Sequence, residues 1–239
     1  MDNALTEIIV IADRSGSMGV VQDDTIGGFN AFLAEQQKSQ DGKCLLTYVQ
    51  FDTEYEVVHE ALPIEKMKPL THATFVPRGA TALLDAVGKT IDDVGTRLAN
   101  LPEEKRPGNV VVVIMTDGME NSSHAYSKAQ VAERVKHQSE TYDWSFIFLG
   151  QNIDAFAEGG ALGFTNANSH MFVGNMQSGG KGQRHAYAVA SAAVVGTRAK
   201  AFRGVGTSFS AQEKQGYTRG LAGDEDALKN VSSTTDPEA

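Results

Sequence analysis

The chain has 239 residues, of which 41% are hydrophobic and 21% charged, a balance that supports one large α/β domain with a well-buried core and excludes a disordered chain. Its formal charge of −9 excludes non-specific binding to nucleic acid or to an anionic membrane, because phosphate contact needs concentrated Lys and Arg. The single cysteine, Cys44, excludes an intrachain disulfide and reads as a small buried apolar residue.

Residues 7–13 open the chain with the apolar run Ile8-Ile9-Val10-Ile11-Ala12, which predicts a buried strand. No basic stretch with a separate hydrophobic region precedes it, and no apolar run reaches the length of a membrane span, so the cytoplasm is the expected compartment. Ile26, Phe29, Phe32 and Leu33 recur at helical spacing and predict a helix over 25–38. Residues 44–52 and 55–62 read as strands joined by the turn Asp52-Thr53-Glu54, which makes the second an antiparallel edge.

Leu84, Val87, Ile91, Val94 and Leu98 predict a helix over 81–98. The β-branched run Val110-Val111-Val112-Val113-Ile114 marks 109–115 as a central strand covered on both faces. A helix over 127–142 with Ser127 as N-cap follows, then a strand over 144–149. A short helix over 154–162, a last strand over 170–173 and an Ala-rich helix over 181–198 complete the domain, the last covering one sheet face. From residue 204 onward Gly204, Gly206, Gly216, Gly220 and Gly223 interrupt the chain. Ser210 and Glu213 there fit a capping box, and residues 232–239 are expected to be disordered. The domain is therefore expected over 1–203, with a Gly-rich C-terminal extension over 204–239.

Strands alternating with helices imply right-handed crossovers. They predict a doubly wound, Rossmann-like α/β domain with a mostly parallel central sheet, one antiparallel edge strand and helices on both faces. Such sheets bind ligands beyond the carboxyl ends of their strands, where the strand order reverses. Asp13-Arg14-Ser15-Gly16-Ser17 leaves the first strand there, and Met115-Thr116-Asp117-Gly118 leaves the central one. An Asp and two Ser at alternate positions point three oxygens at one spot, and oxygen-only ligation suits a hard divalent cation, above all magnesium. Gly79-Ala80-Thr81-Ala82-Leu83 could complete the set. Read singly, the same segments are a helix cap, the N-cap of the 81–98 helix and an ordinary turn. The six histidines have no metal-ligand spacing, and neither Gly27-Gly28 nor Gly179-Gly180-Lys181-Gly182 forms a Rossmann fingerprint or a phosphate loop.

Asp13-x-Ser15-x-Ser17, then Thr81, then Asp117 resembles the metal-ion-dependent adhesion site of von Willebrand factor A domains, at all five positions and in order. Arg14 inside the first motif, with Pro77-Arg78-Gly79-Ala80-Thr81 and Thr116-Asp117-Gly118-Met119-Glu120-Asn121, is similar to bacterial and phage-type members. The resemblance implies Ser15 and Ser17 as direct ligands of Mg2+, with Mn2+ or Ca2+ as substitutes. It implies Thr81 as a ligand that binds directly or through water, and Asp13 and Asp117 as inner- or outer-shell carboxylates. Asp52, Glu120 and Asn121 are candidates for the site rim; the first also reads as a turn residue and the other two as a solvated loop.

The function implied is a non-enzymatic protein-interaction module in which an Asp or Glu of a partner completes the ion. The partner context implied is an ATPase or a stress or phage system. Two other readings stand beside it. One is a magnesium-dependent hydrolase such as a phosphatase, which wants a carboxylate where Ser15 stands. The other is a structural particle or assembly protein in which the metal staples loops.

Overall fold

The structure, a computed structural model, describes residues 1–117, 120–150, 162, 169–173, 180–221, 226–228 and 231. Six strands form one sheet: β1 (Asp2–Asp13), β2 (Lys43–Phe51), β3 (Tyr55–Pro63), β4 (Pro107–Thr116), β5 (Ser145–Gly150) and β6 (Ser169–Val173). Their order is β3-β2-β1-β4-β5-β6, parallel throughout except for the β2–β3 hairpin. The doubly wound sheet and its antiparallel edge are thus as the sequence predicts.

Among the described residues five helices flank the sheet: α1 (Gln22–Lys38), α2 (Leu83–Ala99), α3 (Lys128–Tyr142), α4 (Gly180–Phe202) and α5 (Ala211–Leu221). Along β1, Ile8, Val10 and Ala12 face one side and Ile9 and Ile11 the other, and all five are buried. The first set packs with Val111, Val113 and Phe29 of α1 and Val194 of α4. The second packs with Val112, Ile114, Val87 of α2 and Val135 of α3. Each fully buried aliphatic side chain contributes about 1.5–3 kcal/mol relative to exposure, so β1 and β4 anchor the fold. Tyr217 of α5 and Phe209 before it, with ring centroids 6.2 Å apart, pack into the α1/α4 side of this core.

Several boundaries differ from the sequence expectation. β1 starts at Asp2 rather than residue 7: Asp2 pairs with Pro107, and the register shifts between Asp2 and Thr6. Residues 2–4 are exposed or half-buried, so no apolar run announces them. α1 starts three residues before Thr25, with Asp23 and Asp24 in its first turn, where the helix dipole favours acids. The Ser127 capping box forms, Gln130 N donating to Ser127 Oγ and Ser127 N donating to Gln130 Oε1. So does the box before α5, where Ser210 N donates to Glu213 Oε2 at 2.7 Å and Glu213 N to Ser210 Oγ at 3.1 Å. The helix expected over 154–162 and the tail 232–239 lie outside the described residues, apart from Leu162, which is buried.

The strand order reverses at β1 and β4. The chain leaves β1 toward β2 and β3 on one side, then crosses back to β4 on the other. The crevice this creates lies beyond the carboxyl ends of β1 and β4, where Asp13 and Asp117 sit.

Candidate metal site

Two buried strands deliver two acids to one place. Asp13 ends β1, is fully buried, and accepts from Ser15 N at 2.7 Å through Oδ1 and from Thr116 Oγ1 at 2.6 Å through Oδ2. Thr116 is the last residue of β4, so this bond closes the crossover. Burial, aided by the charge of Asp117 and opposed by the hydrogen bonds from Thr116 and Ser15, pushes the Asp13 carboxyl up to about 6 from its ordinary 3.8. Burial also raises the Asp117 carboxyl.

The loop after β1 turns through the 3-10 segment Gly16–Val21. Its hydroxyls line up: the Ser15 and Ser17 Oγ atoms lie 3.1 Å apart, and Ser17 Oγ donates to Asp117 Oδ1 at 2.8 Å. Residues 100 positions apart in the chain thereby share one hydrogen-bonded row. Asp13, Ser15, Ser17 and Asp117 are brought together as the sequence predicts.

Thr81 enters from a third segment, but not as a helix cap. The N-cap of α2 is Ala82, and no side chain of its own caps that turn. Thr81 is held by a two-way bridge instead: Thr81 N donates to Asn121 Oδ1 at 2.8 Å, and Asn121 N donates to Thr81 O at 3.1 Å. Both backbone groups are committed to Asn121, so the residue stays outside the helix with its side chain buried. Its segment touches the β1 loop through Gly16 N, which donates to Gly79 O at 3.1 Å.

Glu120 and Asn121, read from sequence as rim or solvated loop, organise the site. The Glu120 carboxylate accepts from Leu84 N at 2.9 Å, which satisfies a free N–H at the start of α2. It also accepts from Ser122 N, Ser123 N and Ser123 Oγ. Ser123 Oγ in turn accepts from Asp85 N, and the Asp85 carboxylate accepts from the backbone N–H groups of His124, Ala125 and Tyr126. The segment that follows Asp117 is therefore fastened to the first turn of α2. No local signal pointed to this: Thr81 offers a cap by residue type, and only the structure moves the N-cap to Ala82 and leaves the free donors to be met from elsewhere.

Asp52 forms the hairpin turn, its Oδ1 accepting from Glu54 N, and does more besides. It is almost fully buried, and its carboxylate accepts from Arg14 Nε at 2.8 Å and from Arg78 Nε at 2.9 Å. Arg14 Nη1 also donates to Gln50 Oε1 and Glu56 Oε2, and Arg78 Nη2 donates to Glu54 Oε2. Sequence reading did not find this cluster, because each arginine lies 24 to 42 residues from the groups it binds and ion pairing has no local period.

Among the described residues no cluster of three or more His, Cys, Asp or Glu side chains has metal-ligand geometry. The donor set of hydroxyls and two acids nevertheless fits a hard dication. Two carboxylates, each raised by burial, lie near enough for the charge of Asp117 to be felt at Asp13, and a divalent ion relieves that penalty directly.

The strand order, helices on both faces and the two loops meeting at the reversal make this the von Willebrand factor A fold. No family model matches the sequence, and no curated protein is significantly similar to it. Solved structures are similar in fold. The PilB minor pilin from Streptococcus sanguinis superposes with a TM-score of 0.58 at 10% identity, over 80% of this chain and 61% of that one. The manganese-loaded TRAP protein of Plasmodium vivax gives 0.50 at 18% identity, over 76% of this chain and 72% of that one. A von Willebrand factor type A structure from Catenulispora acidiphila gives 0.48 at 16% identity, over 78% and 43%. The chain thus spans about three fifths of the pilin's length and less than half of the Catenulispora protein's.

Proposed function

We propose that this chain is a protein-interaction module that works through a divalent cation, magnesium first, held where Asp13, Ser15, Ser17 and Asp117 converge and Thr81 approaches. The observation that carries the reading is the row Ser15–Ser17–Asp117, with Asp13 behind it, at the reversal of the strand order. Ser15, Ser17 and Thr81 would supply neutral hydroxyls, and Asp13 and Asp117 the balancing charge. When bound, the ion would act as a Lewis acid toward an incoming oxygen. The manganese in the TRAP structure supports a divalent ion on this fold.

With only two acids in the set, and one of them already committed to Ser15 N and Thr116 Oγ1, the ion keeps affinity for a further anionic ligand. An Asp or Glu side chain of a partner protein is that ligand. A non-enzymatic role is favoured over hydrolysis because Ser15, where an acid nucleophile would be wanted, shares its hydroxyl with Ser17. We place the module in the cytoplasm, with an ATPase or a stress or phage component as the partner context. Its lone cysteine is buried and free, and none of the described helices is long and apolar enough to cross a membrane.

The test couples two measurements. Calorimetric titration with Mg2+ is expected to show one site per chain. Retention of a protein partner on the immobilised chain is expected to need Mg2+, to be lost with chelator, and to be competed by free carboxylate-bearing peptide. Turnover of phosphate esters that depends on Ser15 would favour a hydrolase. A metal effect confined to melting temperature would favour the loop staple.

The acid at the centre also sets a pH dependence. A dication needs the Asp13 carboxylate ionised, and burial holds its pKa near 6 in the metal-free protein. Affinity for Mg2+ is therefore expected to rise with pH through about 6 and level off above it, with about tenfold weaker binding at pH 5 than at pH 7.5. Titrations at the two pH values check this, and equal affinities would contradict it.

A further inference from the structure

We infer that Asp52 is a positioning residue for the metal site, fixing the segment that carries Thr81 against the loop that carries Ser15 and Ser17. The inference rests on the metal reading above and concerns what holds the two loops in register.

Asp52 lies at the turn of the β2–β3 hairpin, outside the five-residue motif, yet it touches both loops. Its Oδ2 accepts from Nε of Arg14, which sits between Asp13 and Ser15, and from Nε of Arg78, three residues before Thr81. Its backbone oxygen accepts from Ala82 N at 3.2 Å, the residue directly after Thr81. One residue thus grips the Thr81 segment on both sides and the β1 loop at its centre. Its own geometry is set by Oδ1, which accepts from Glu54 N at 2.7 Å and Thr53 Oγ1 at 3.3 Å.

The backbones around it are packed as closely as chemistry allows. Arg14 N donates to Phe51 O and Arg78 N to Arg14 O, both at 2.8 Å. Gly79 has φ +67, and a Cβ there would lie 2.9 Å from Thr53 Oγ1 and 3.4 Å from the Asp52 Cβ. The Thr81 segment therefore passes over the Asp52 turn at a distance open only to glycine.

The arrangement is costly as a device for stability alone. The Arg14 side chain is 8% exposed, Asp52 is 1% exposed, and Arg14 Nη2 is buried with no hydrogen-bond partner. A buried ion pair with an unmet donor adds little net stability over an apolar replacement, whereas two arginines from different loops meeting one carboxylate oxygen fix direction. What the direction fixes here is the spacing between two hydroxyl-bearing loops. A metal site depends on such outer contacts nearly as much as on its ligands.

The test uses the full chain and Mn2+, with free Mn2+ read by electron paramagnetic resonance and folding read by thermal melting in chelator. Asp52→Asn is expected to weaken Mn2+ binding about tenfold, and Arg78→Gln, whose side chain is half exposed, about threefold. Arg78→Gln keeps the inference testable should Asp52→Asn fail to fold. If Asp52 acts through Thr81, the double variant Asp52→Asn/Thr81→Ala binds no more weakly than Thr81→Ala alone, a result that general destabilisation would not give. Wild-type affinity in both Asp52→Asn and Arg78→Gln overturns the inference, as do losses that multiply in the double variant or a Thr81→Ala chain that binds normally. A wild-type chain that fails to bind Mn2+ overturns the metal reading itself, and this inference with it.

Discussion

Asp13→Asn is expected to abolish divalent-ion binding while leaving the metal-free protein as stable as the wild type or more so. The carboxylate charge is lost, and with it one of the two charges that balance a dication, so affinity should fall by at least about 100-fold. The fold should tolerate the change because asparagine can keep both contacts. Its oxygen still accepts from Ser15 N, and its amide can donate to Thr116 Oγ1, whose hydroxyl rotates to accept.

The sign of the stability change follows from the raised carboxyl. A group whose folded pKa lies above its unfolded value binds its proton more tightly when folded, so this contribution is fully present below pH 3.8 and is lost as pH rises toward about 6. At neutral pH the ionised Asp13 therefore weakens the metal-free fold, by up to about 3 kcal/mol. Asp13→Asn removes that penalty. Urea denaturation in chelator, with Mg2+ titration of the same samples, checks both halves. A variant that unfolds, or one that binds Mg2+ normally, would contradict the account. Asp117→Ala is expected to lose the ion in the same way, because Ser17 then has no acid to orient it.

The second large effect concerns Glu120, which lies outside the motif. Its carboxylate collects four hydrogen bonds, from Leu84 N, Ser122 N, Ser123 N and Ser123 Oγ. Glu120→Ala leaves Leu84 N at the start of α2 without its acceptor and frees Ser122 and Ser123 from the carboxylate that holds them. The expected cost is about 3 kcal/mol, from lost charge-assisted bonds and an unmet helix donor. For a chain of this size that corresponds to a melting temperature lower by roughly 10 °C. Glu120→Gln, which keeps one acceptor oxygen, should recover part of the loss. Melting curves of the two variants decide it, and an unchanged transition for Glu120→Ala would show that the segment is held by other means. Because Asn121 is the next residue and bridges to Thr81, the alanine variant should also weaken metal binding, unlike an ordinary helix-cap loss.

The parts of this molecule that sequence made legible are those in which one local pattern has one cause. β1 and β4 are buried on both faces, so their aliphatic runs could only be central strands. The hairpin at Asp52-Thr53-Glu54 followed from two strands too close together for a crossover. Ser127 and Ser210 announced their helices because each carries its own cap. The meeting of Asp13, Ser15, Ser17 and Asp117 was legible because Asp13 and Asp117 lie at the ends of strands that the apolar pattern had already located.

Where the cause was distant, the sequence was silent. Thr81 reads as an N-cap by residue type, but Asn121, forty residues later, takes both its backbone groups, so the helix begins at Leu83. Asp52 reads as a turn former, but its burial is decided by two arginines that the fold brings from different loops. Glu120 reads as a solvated acid because nothing local shows that α2 lacks a cap of its own. Residues 2–4 carry no apolar run, and Asp2 joins the strand through Arg106 O and Pro107, about a hundred residues away in the chain. In each case the deciding partner lies far away in sequence, and only the folded arrangement shows which it is.

The most direct measurement is a crystal structure of the full chain grown with Mn2+, with anomalous difference density collected at the manganese edge. One peak within bonding distance of the Ser15 and Ser17 hydroxyl oxygens, with Thr81, Asp13 and Asp117 around it, is the result expected. Density elsewhere on the molecule, or none between these loops at saturating Mn2+, would contradict it.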